Sequence, residues 1–275
     1  SRGLGDVYKR QSGDKRQDYI CQYLNNHGYN AYLKSTMDFN QDEYIICSTP
    51  LCKKGKYLNC DFYSSFPMET FMNLLKPGQT IFAGSIPKDF YNNKSFNFID
   101  VLHDETVVWN NAVLTAEGLV SSIITHTDST IKNARILILG FGKCGINVAR
   151  ILTSLSGKVS IYDHTALHLI QARAYGYEGI EYEDLIHHIH KFDMIINTVP
   201  TDIFQEIHYM KAKNSCVLFE IASAPYGFKE DFANKYNLSL ITCPGIPGVT
   251  APKAAGELIA KSIISYLERT EINGS

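Results

Sequence analysis

The chain has 275 residues, of which 45% are hydrophobic and 20% are charged, and its formal net charge is −2. These values are typical of a globular protein with one large domain or two ordinary ones. The near-neutral charge balance excludes the basic surface with which proteins bind nucleic acid or an anionic membrane. The seven cysteines include no Cys-x-x-Cys pair, which favours reduced thiols in a cytoplasm over a disulfide framework or a zinc site.

The opening residues 1–11 show no periodic pattern and do not resemble a targeting signal. An α/β domain usually begins with a strand, and no strand pattern is evident before Gly13. We therefore interpret 1–11 as a foreign or truncated leader that stands in place of a native first strand.

Helices and strands alternate through the first part of the chain. Apolar periodicity predicts helices at 16–27 and 68–75, and strands at 31–33, 44–49, 80–83 and 106–109. Residues 51–66 have few regularly spaced apolar positions and are predicted to form a loop. Alternating strands and helices favour a parallel sheet with right-handed crossovers. The sequence thus predicts a smaller, flavodoxin-like N-terminal α/β domain over residues 1–114.

A long helix over 115–126 opens the second predicted domain, residues 115–275. Apolar runs predict its strands at 134–139, 158–162, 193–198, 215–220 and 238–242, with helices between them. This order indicates a Rossmann-type, doubly wound parallel sheet. Two Pro-Gly pairs then predict a rigid loop at 243–248. We expect the last helix, 252–268, to pack back across the domain junction.

The most informative motif is Gly140–Gly145, which reads Gly-Phe-Gly-Lys-Cys-Gly between an apolar strand and an apolar helix. There the first glycine makes a tight turn, the second lets the backbone approach a diphosphate, and the third lets the helix pack on the strand. The N–H groups of the helix start face the anion. We predict a dinucleotide site, the alternative being a glycine-rich packing turn. Its predicted contact residues here are Gly140, Gly142, Lys143, Cys144 and Gly145.

Asp163 ends the next strand, 18 residues after Gly145, where the dinucleotide fingerprint expects an acid that binds the adenosine ribose. A 2′-phosphate would meet this carboxylate, which favours NAD over NADP, although His164 beside it weakens the preference. We predict NAD or NADP, with NAD slightly favoured. For Cys144, a helix start lowers a thiol pKa, but we favour the need for a small side chain there.

Ligands of open parallel sheets bind beyond the carboxyl ends of the strands. In the second domain the chain is predicted to pass beneath the nicotinamide ribose at one such end, the alternative being that Pro200 simply stops the strand. The predicted cofactor-binding residues at these ends are Thr198, Val199, Pro200 and Ala222. The predicted substrate-binding residues at strand ends are Ser48, Thr49, Ser85 and Ser223.

Other polar residues are further candidates. Lys253 adds a positive charge to the start of the last helix, which can hold a carboxylate, or it is a surface lysine on a rigid connector. Glu117 and His126 lie at the two ends of the 115–126 helix, and His126 is a candidate acid or base, or a capping or core histidine. We predict that Glu117 and Gly248 contact substrate. We predict no metal, since the histidines at 187–190 lack a nearby acid or thiol pattern.

Several motifs together point to a family. They are the segments 12–17, 115–118, 126–131, 140–145, 196–200, 220–223 and 244–256. Many oxidoreductases share the glycine loop, but Pro-Gly-Ile-Pro-Gly followed by Ala-Pro-Lys, together with Thr-Ala-Glu-Gly, is far more specific. On these residues the chain resembles the A-subunit family of dipicolinate synthases from spore-forming bacteria, from about Ser12 to the C-terminal helix.

The resemblance implies an oxidoreductase that forms dipicolinate (pyridine-2,6-dicarboxylate) from a reduced cyclic lysine-pathway intermediate by hydride transfer to NAD(P). It also implies that the partner is a flavoprotein-like B subunit, and that the protein works in the mother-cell cytoplasm of a sporulating bacterium. It leaves homo-oligomerisation open. Because the last step creates an aromatic ring, the protein mainly has to place a ring C–H against the nicotinamide and hold two carboxylates. The residues that we expect to be catalytic are His126, as the base, and Lys253.

Three departures from the family pattern matter. The leader occupies the place of the usual first strand. Asp163 and His164 stand where the family often has a small residue and an arginine, which would suit NADP. Ala224 stands where the family often has a basic residue after the serine that matches Ser223, so Lys253 becomes the first candidate for a substrate-anchoring charge.

Two other functions remain open. A D-2-hydroxyacid dehydrogenase has the same two-domain plan, but it carries an arginine near 221–224 and a downstream histidine, and this chain has neither between Ile221 and the last helix. A non-catalytic dinucleotide-binding subunit would explain the shortage of obvious acid–base groups.

Overall fold

The computed structural model describes residues 7–8, 14–34, 36–53, 55–60, 65–92 and 95–274. Ser12 and Gly13, which open the family-like segment 12–17, and residues 1–6 and 9–11 of the expected leader lie outside these ranges. The chain divides into two compact units. One comprises residues 1–110 and 251–275, and the other comprises residues 111–250.

The elements of the first part of the chain are short. In chain order they are β1 (Val7–Tyr8), α1 (Arg16–Asn26), β2 (Leu33–Lys34), β3 (Tyr44–Ile46), β4 (Cys52–Lys53), β5 (Tyr57–Leu58), β6 (Phe66–Pro67), α2 (Met68–Leu74), β7 (Thr80–Ala83) and β8 (Asn97–Asp100). Helix α3 (Glu105–His126) follows and contains the unit boundary.

The elements of the second unit alternate regularly, and one long helix then returns the chain to the first unit. In chain order they are β9 (Arg135–Leu139), α4 (Lys143–Ser154), β10 (Lys158–Tyr162), α5 (Ala166–Ala174), β11 (Glu178–Ile180), α6 (Tyr182–His188), β12 (Met194–Asn197), α7 (Glu206–Lys211), β13 (Val217–Glu220), α8 (Glu230–Lys235), β14 (Ser239–Thr242), α9 (Ile246–Thr250) and α10 (Pro252–Gly274).

The main sheet of the first unit is parallel, with the order β2-β1-β3-β7-β8. Counted along the chain, its strands run 2-1-3-4-5, which is the flavodoxin-like order and confirms that prediction. Helices α1 and α10 share one apolar cluster on this sheet, to which Ile20, Leu24, Ile259 and Ile263 contribute. Gly256 lets the two helices approach closely, since a Cβ there would lie 2.7 Å from the Arg16 carbonyl oxygen.

The expectation that no strand precedes Gly13 is wrong. Strand β1 pairs with both of its neighbours, Val7 with Leu33 of β2 and Val7 with Ile46 of β3. Val7 and Tyr8 therefore fill an internal position of this sheet, between β2 and β3, that the sequence pattern left empty. A strand of two residues is too short to show an alternating pattern, which is why the sequence did not reveal it.

The loop predicted at 51–66 is also wrong in part. Strands β4, β5 and β6 form a small antiparallel sheet, in which Cys52 pairs with Leu58 and Leu58 pairs with Phe66. Buried side chains of this segment, Leu51, Leu58 and Cys60, join the apolar cluster that includes Phe71 and Phe98. Each of the three strands has only two residues, so no period could be read from them. Strand β8 was missed as well.

The second sheet confirms the Rossmann-type prediction. Its order is β11-β10-β9-β12-β13-β14, all parallel, which is 3-2-1-4-5-6 along the chain. Apolar clusters cover both faces, one with α3, α4 and α5 and the other with α6, α7 and α8. Burial on both faces explains why strands such as β9 read as continuous apolar runs. Only the short edge strand β11 was missed.

The strand predicted at 106–109 is wrong, because α3 begins at Glu105. Asp104 starts the helix by accepting a hydrogen bond from the Thr106 N–H (2.8 Å). The buried positions Val107, Ala112, Ala116, Leu119 and Ile123 then recur with helical spacing. The β-branched run from Thr106 to Val108 misled the prediction. By length and mean hydropathy (1.3) α3 would be able to cross a membrane, but Leu119 and Ile123 are fully buried in the core of the second unit.

Short helix α9 lies partly within the loop predicted at 243–248. It packs directly on α3 at Gly118, where a Cβ atom would overlap the Ile246 side chain and lie 2.5 Å from Thr250 Oγ1. The close packing of α9, which contains part of the Pro-Gly-Ile-Pro-Gly motif, therefore requires the glycine of the Thr-Ala-Glu-Gly motif at position 118. The last helix, α10, extends to Gly274, beyond the predicted end at 268.

The side chain of His208 caps the start of α7 through a hydrogen bond that depends on pH. The Gln205 N–H donates to His208 Nδ1 (2.9 Å), and burial lowers the pKa of His208. The imidazole is therefore neutral, and protonation would remove the acceptor. We expect stability to be full above about pH 6.5, the unfolded histidine value, and to fall as the pH drops towards 5. Urea unfolding at pH 7 and pH 5 checks this, and His208→Gln, which keeps a capping acceptor without titrating, should lose clearly less.

Candidate dinucleotide site

The turn from β9 to α4 leaves no room for side chains at its first and third glycines. Gly140 has φ +97°, which disfavours any other residue, and a Cβ there would lie 2.5 Å from Thr198 Oγ1. At Gly145 a Cβ would overlap the carbonyl oxygen of Gly140. The two glycines therefore let α4 and the chain after β12 pack directly on the end of β9.

Gly142 differs from both of these glycines. It lies just before α4, it is exposed, and a Cβ built on it would have no atom within 4 Å. The first hydrogen bond of the helix runs from the Ile146 N–H to the Gly142 oxygen (2.9 Å). The N–H groups of the residues that precede Ile146 in α4 point out of the start of the helix. An open backbone position in front of a helix start fits a diphosphate group, which needs close backbone approach and N–H donors.

Cys144 lies in the first turn of α4 and is half-buried. Burial raises the pKa of its thiol, so the side chain is neutral. This favours the interpretation of Cys144 as a small packing residue rather than a reactive thiolate.

Asp163 is 5% exposed and binds the glycine turn directly. Its Oδ2 accepts hydrogen bonds from the Phe141 N–H (2.7 Å) and from His168 Nδ1 (2.9 Å), and its Oδ1 accepts one from the Thr165 N–H (2.8 Å). Burial alone would raise the pKa of Asp163, but these hydrogen bonds outweigh it and hold the pKa below its usual range. Asp163 is therefore an ionised carboxylate that joins the end of β10 to the glycine turn.

Two histidines flank this carboxylate. His168 is the half-buried donor in α5, and His164 is exposed with Nδ1 3.5 Å from Asp163 Oδ1. Sequence reasoning noted His164 but missed His168, although its place in the first turn of α5, five residues after Asp163, puts it within reach. Phe141 was missed as a partner because its contact is made by the backbone.

The chain after β12 lies against the same turn. The Thr198 hydroxyl donates to the Leu139 carbonyl (2.8 Å), and the Val199 side chain lies beside Gly140. Pro200 is exposed, as is Ser223, while Ala222 is buried after β13. The predicted cofactor residues therefore lie together at the carboxyl edge of the second sheet, in the glycine turn, at Asp163, at 198–200 and at Ala222. Ser223, a predicted substrate residue, lies beside them.

The predicted substrate residues of the first unit lie at the carboxyl ends of β3 and β7. The Thr49 side chain fills the space above Gly84, and Ser85 has φ +52° with its N–H donating to Asp100 Oδ1 (3.2 Å). Sequence reasoning did not select Arg16, which donates to Asp14 Oδ2 (2.6 Å) and to the Thr49 carbonyl (2.7 Å). Ser48 beside Thr49 is buried.

The remaining candidates lie elsewhere. His126 ends α3 and is exposed, with Nδ1 2.9 Å from the Ser122 carbonyl oxygen and 3.3 Å from Ser122 Oγ. Glu117 lines a groove of about 580 Å³ with residues of α4 such as Arg150 and Ser154.

The two candidates near the end of the chain lie on separate helices. Gly248 is inside α9. Lys253, in the first turn of α10, has a side chain that is 70% exposed and 4.0 Å from Glu257. The part of the chain that the structure describes contains no group of three or more metal-ligating side chains.

Comparison with known proteins agrees with this geometry. Residues 111–237 match the family model of the NAD-binding domain of S-adenosyl-L-homocysteine hydrolase. Over 164 residues, 60% of this chain, the sequence is 29% identical to the A subunit of dipicolinate synthase from Bacillus subtilis. The alignment spans 55% of the length of that relative.

Two solved structures share the fold over nearly the whole chain. The A subunit of dipicolinate synthase from Bacillus subtilis has a TM-score of 0.84, with 21% identity over 99% of this chain and 97% of that one. The corresponding protein from Bacillus halodurans has a TM-score of 0.82, with 21% identity over 97% of each chain. The comparisons confirm the resemblance seen in the sequence motifs and identify the second unit as an NAD-binding type of Rossmann domain.

Proposed function

We propose that this chain, which resembles the A subunit of dipicolinate synthase in sequence and in fold, is an NAD(P)-dependent oxidoreductase subunit that forms dipicolinate. The observation that carries the proposal is the glycine turn. Gly140 and Gly145 are closed by packing, whereas Gly142 is open in front of α4, which is the arrangement that a diphosphate requires.

The proposed reaction converts a reduced, cyclic lysine-pathway dicarboxylate into the aromatic pyridine ring. The bound NAD(P)⁺ supplies the hydride acceptor. The substrate ring loses a hydride from one carbon and a proton to a base, and the product gains aromatic stabilisation. The protein therefore has to align the ring and receive one proton, which are tasks of positioning and acid–base chemistry.

In this proposal the residues of the second sheet hold the cofactor. The first turn of α4 binds the diphosphate, with Lys143 at its start. Asp163 accepts three hydrogen bonds from the protein, which leaves one carboxylate lone pair to accept from a ribose hydroxyl. A 2′-phosphate would stand against this carboxylate, so we propose NAD as the better cofactor, with His164 and His168 reducing the difference.

We propose the strand-end residues Ser48, Thr49, Ser85 and Ser223, together with Glu117, Gly248 and Lys253, as substrate contacts, and His126 as the base. The high exposure of Lys253 is suited to a charge that closes on a carboxylate only when substrate is bound. We further propose that the chain works with a flavoprotein-like B subunit in the mother-cell cytoplasm.

The test is a coupled assay. NADH and NADPH are titrated into the folded protein, and dipicolinate formation is followed by absorbance with NAD(P)⁺ and an enzymatic supply of the cyclic precursor, with the B subunit both present and absent. We expect micromolar nucleotide binding and dipicolinate formation that depends on this chain. Folded protein that binds neither nucleotide would refute the proposal.

A non-catalytic dinucleotide-binding subunit is the second candidate. It is favoured by the exposure of His126 and by the proximity of its Nδ1 to the backbone carbonyl of Ser122, an arrangement that also suits a helix-capping histidine. In the coupled assay this alternative predicts NADH binding without any dipicolinate formation in either arm.

The variant His126→Ala separates the two roles of this residue. If His126 receives the ring proton, turnover should fall by about a hundredfold or more while NADH affinity stays unchanged. Steady-state kinetics and NADH titration measure both. Thr125→Ala is the matched control, since its hydroxyl donates to the Ser121 carbonyl (2.9 Å) in the same helix turn and its loss leaves the contacts of the imidazole in place. Unchanged turnover in His126→Ala would remove this residue from the mechanism.

A further inference from the structure

One carboxylate at the centre of the second sheet has no part in the function proposed so far. Glu220 is the last residue of β13 and is 1% exposed. It lies directly beside Asn197, the last residue of β12, which is fully buried. The two residues therefore stand side by side where both strands end and their loops begin.

Asn197 connects Glu220 to the first of these loops. Its Nδ2 donates to both carboxylate oxygens of Glu220 (2.8 and 2.9 Å) and to the Val199 carbonyl (2.8 Å). Its Oδ1 accepts from the Val199 N–H (3.2 Å). The position of Val199, between Thr198 and Pro200, is thus fixed by a side chain that Glu220 holds.

The second loop binds Glu220 directly through its backbone. The Ala222 N–H donates to Oε1 (3.0 Å), and the N–H groups of Gly227 and Phe228 both donate to Oε2 (2.9 Å each). The loop also rests on Asn197, because a Cβ at Gly227 would lie 2.5 Å from Asn197 Nδ2. Both ends of the 221–228 segment are therefore attached to one carboxylate.

The surroundings of the Glu220 carboxylate indicate that it fixes the positions of neighbouring groups. Within the described part of the chain, every group that hydrogen-bonds Glu220 is an uncharged N–H donor. Burial raises the pKa of Glu220, while these donors favour its ionised form. A buried carboxylate without a cation costs free energy that an apolar side chain would not, so what it provides is a fixed arrangement of the groups around it.

We propose that Glu220 is a positioning residue that holds 198–200 and 221–228 at the separation needed for the nicotinamide half of the cofactor. This inference rests on the proposed function. The glycine turn and Asp163, assigned to the adenosine and diphosphate half, are joined by the Phe141 N–H (2.7 Å), and Thr198, which packs on the turn, keeps its own hydrogen bond to the Leu139 carbonyl (2.8 Å). Loss of the Glu220 contacts should therefore weaken binding of the nicotinamide half alone.

The experiment compares two ligands that differ in that half. Isothermal titration measures the affinities of the full chain for NADH and for ADP-ribose, which lacks the nicotinamide. In Glu220→Gln an amide N–H₂ replaces one acceptor oxygen and meets N–H donors. We expect NADH affinity to fall at least about tenfold while ADP-ribose affinity stays within about twofold.

The matched control is Asp193→Asn, at the amino end of the neighbouring strand β12. Asp193 accepts from the Arg135 N–H (2.7 Å) and from Lys213, so its loss also removes structural contacts but at the amino edge of the sheet. It should affect the two ligands equally. If Glu220→Gln weakens both ligands alike, or neither, the inference is overturned.

Two further measurements cover the case in which Glu220→Gln does not fold. Asn197→Ala removes the link from Glu220 to the 198–200 loop but leaves the three backbone N–H donors of the 221–228 loop on Glu220, and it should show the same ligand difference. In the wild type, NADH should protect 198–200 and 221–228 from hydrogen exchange more than ADP-ribose does, and equal protection would overturn the inference. A wild type that binds ADP-ribose and NADH equally tightly would also overturn it, whereas a wild type that binds neither would refute the proposed function itself.

Discussion

Replacing Gly142 with alanine is expected to leave the fold intact and to weaken NADH binding by about a hundredfold, or about 2.7 kcal/mol. The backbone there has φ −78° and ψ −165°, which alanine adopts without strain, and a Cβ would touch no protein atom within 4 Å. The added methyl group would instead occupy the space that we assign to the diphosphate. Urea unfolding should change by less than about 0.5 kcal/mol, since no contact is lost.

Gly145→Ala is the contrasting control. There a methyl group would overlap the Gly140 carbonyl, so β9 and α4 would have to separate. We expect the free energy of unfolding to fall by about 2–4 kcal/mol, because overpacking of this kind displaces backbone. Full NADH affinity in Gly142→Ala would place the diphosphate elsewhere, and similar stability loss in both variants would show that the space at Gly142 is not open.

Asp163→Asn is expected to reduce the free energy of unfolding at pH 7 by about 2–4 kcal/mol, because an amide cannot accept hydrogen bonds from Phe141, Thr165 and His168 together. The pKa of Asp163 is held low in the folded state. The wild-type advantage is therefore present above about pH 3.9, the unfolded value, and is lost as the pH falls through the folded pKa. Urea unfolding between pH 7 and pH 3 measures the difference.

The same variant also tests the choice of cofactor. Loss of the negative charge should raise NADPH affinity relative to NADH, since a 2′-phosphate would no longer face a carboxylate. Asp128→Asn is the control, because this acid is exposed in the turn after α3 and should change neither stability nor cofactor preference. An unaltered NADPH to NADH ratio in Asp163→Asn would show that this carboxylate does not face the adenosine ribose.

The sequence predicted those parts of the fold that have long apolar patterns. Strands β9, β10, β12, β13 and β14 have four or five residues each, and all of them except the edge strand β14 are largely buried, so their apolar runs were readable. Strands β1 and β4–β6 have two residues each and were missed. The start of α3 was misread, since a run of β-branched residues suits either element until its long-range packing is known.

The candidate site divides in a similar way. The positions of Gly140–Gly145 and Asp163 followed from one local motif and its spacing. Two contacts join residues more than 20 positions apart, that of Asp163 with the Phe141 backbone and that of Glu220 with Asn197. Neither could be predicted without the order of the strands in the sheet. One signal was available for Glu220, since an acid that closes the apolar run 217–219 must end a buried strand.

The contact of α3 with α9 has a consequence for the evolution of this fold. Gly118 has no space for a side chain while isoleucine and threonine occupy 246 and 250. A homologue could carry alanine at 118 only if one of those two partners had shrunk. The two most distinctive motifs of the chain, although more than 120 residues apart, should therefore covary among relatives as a single steric unit, and drift in one without compensation in the other should be rare.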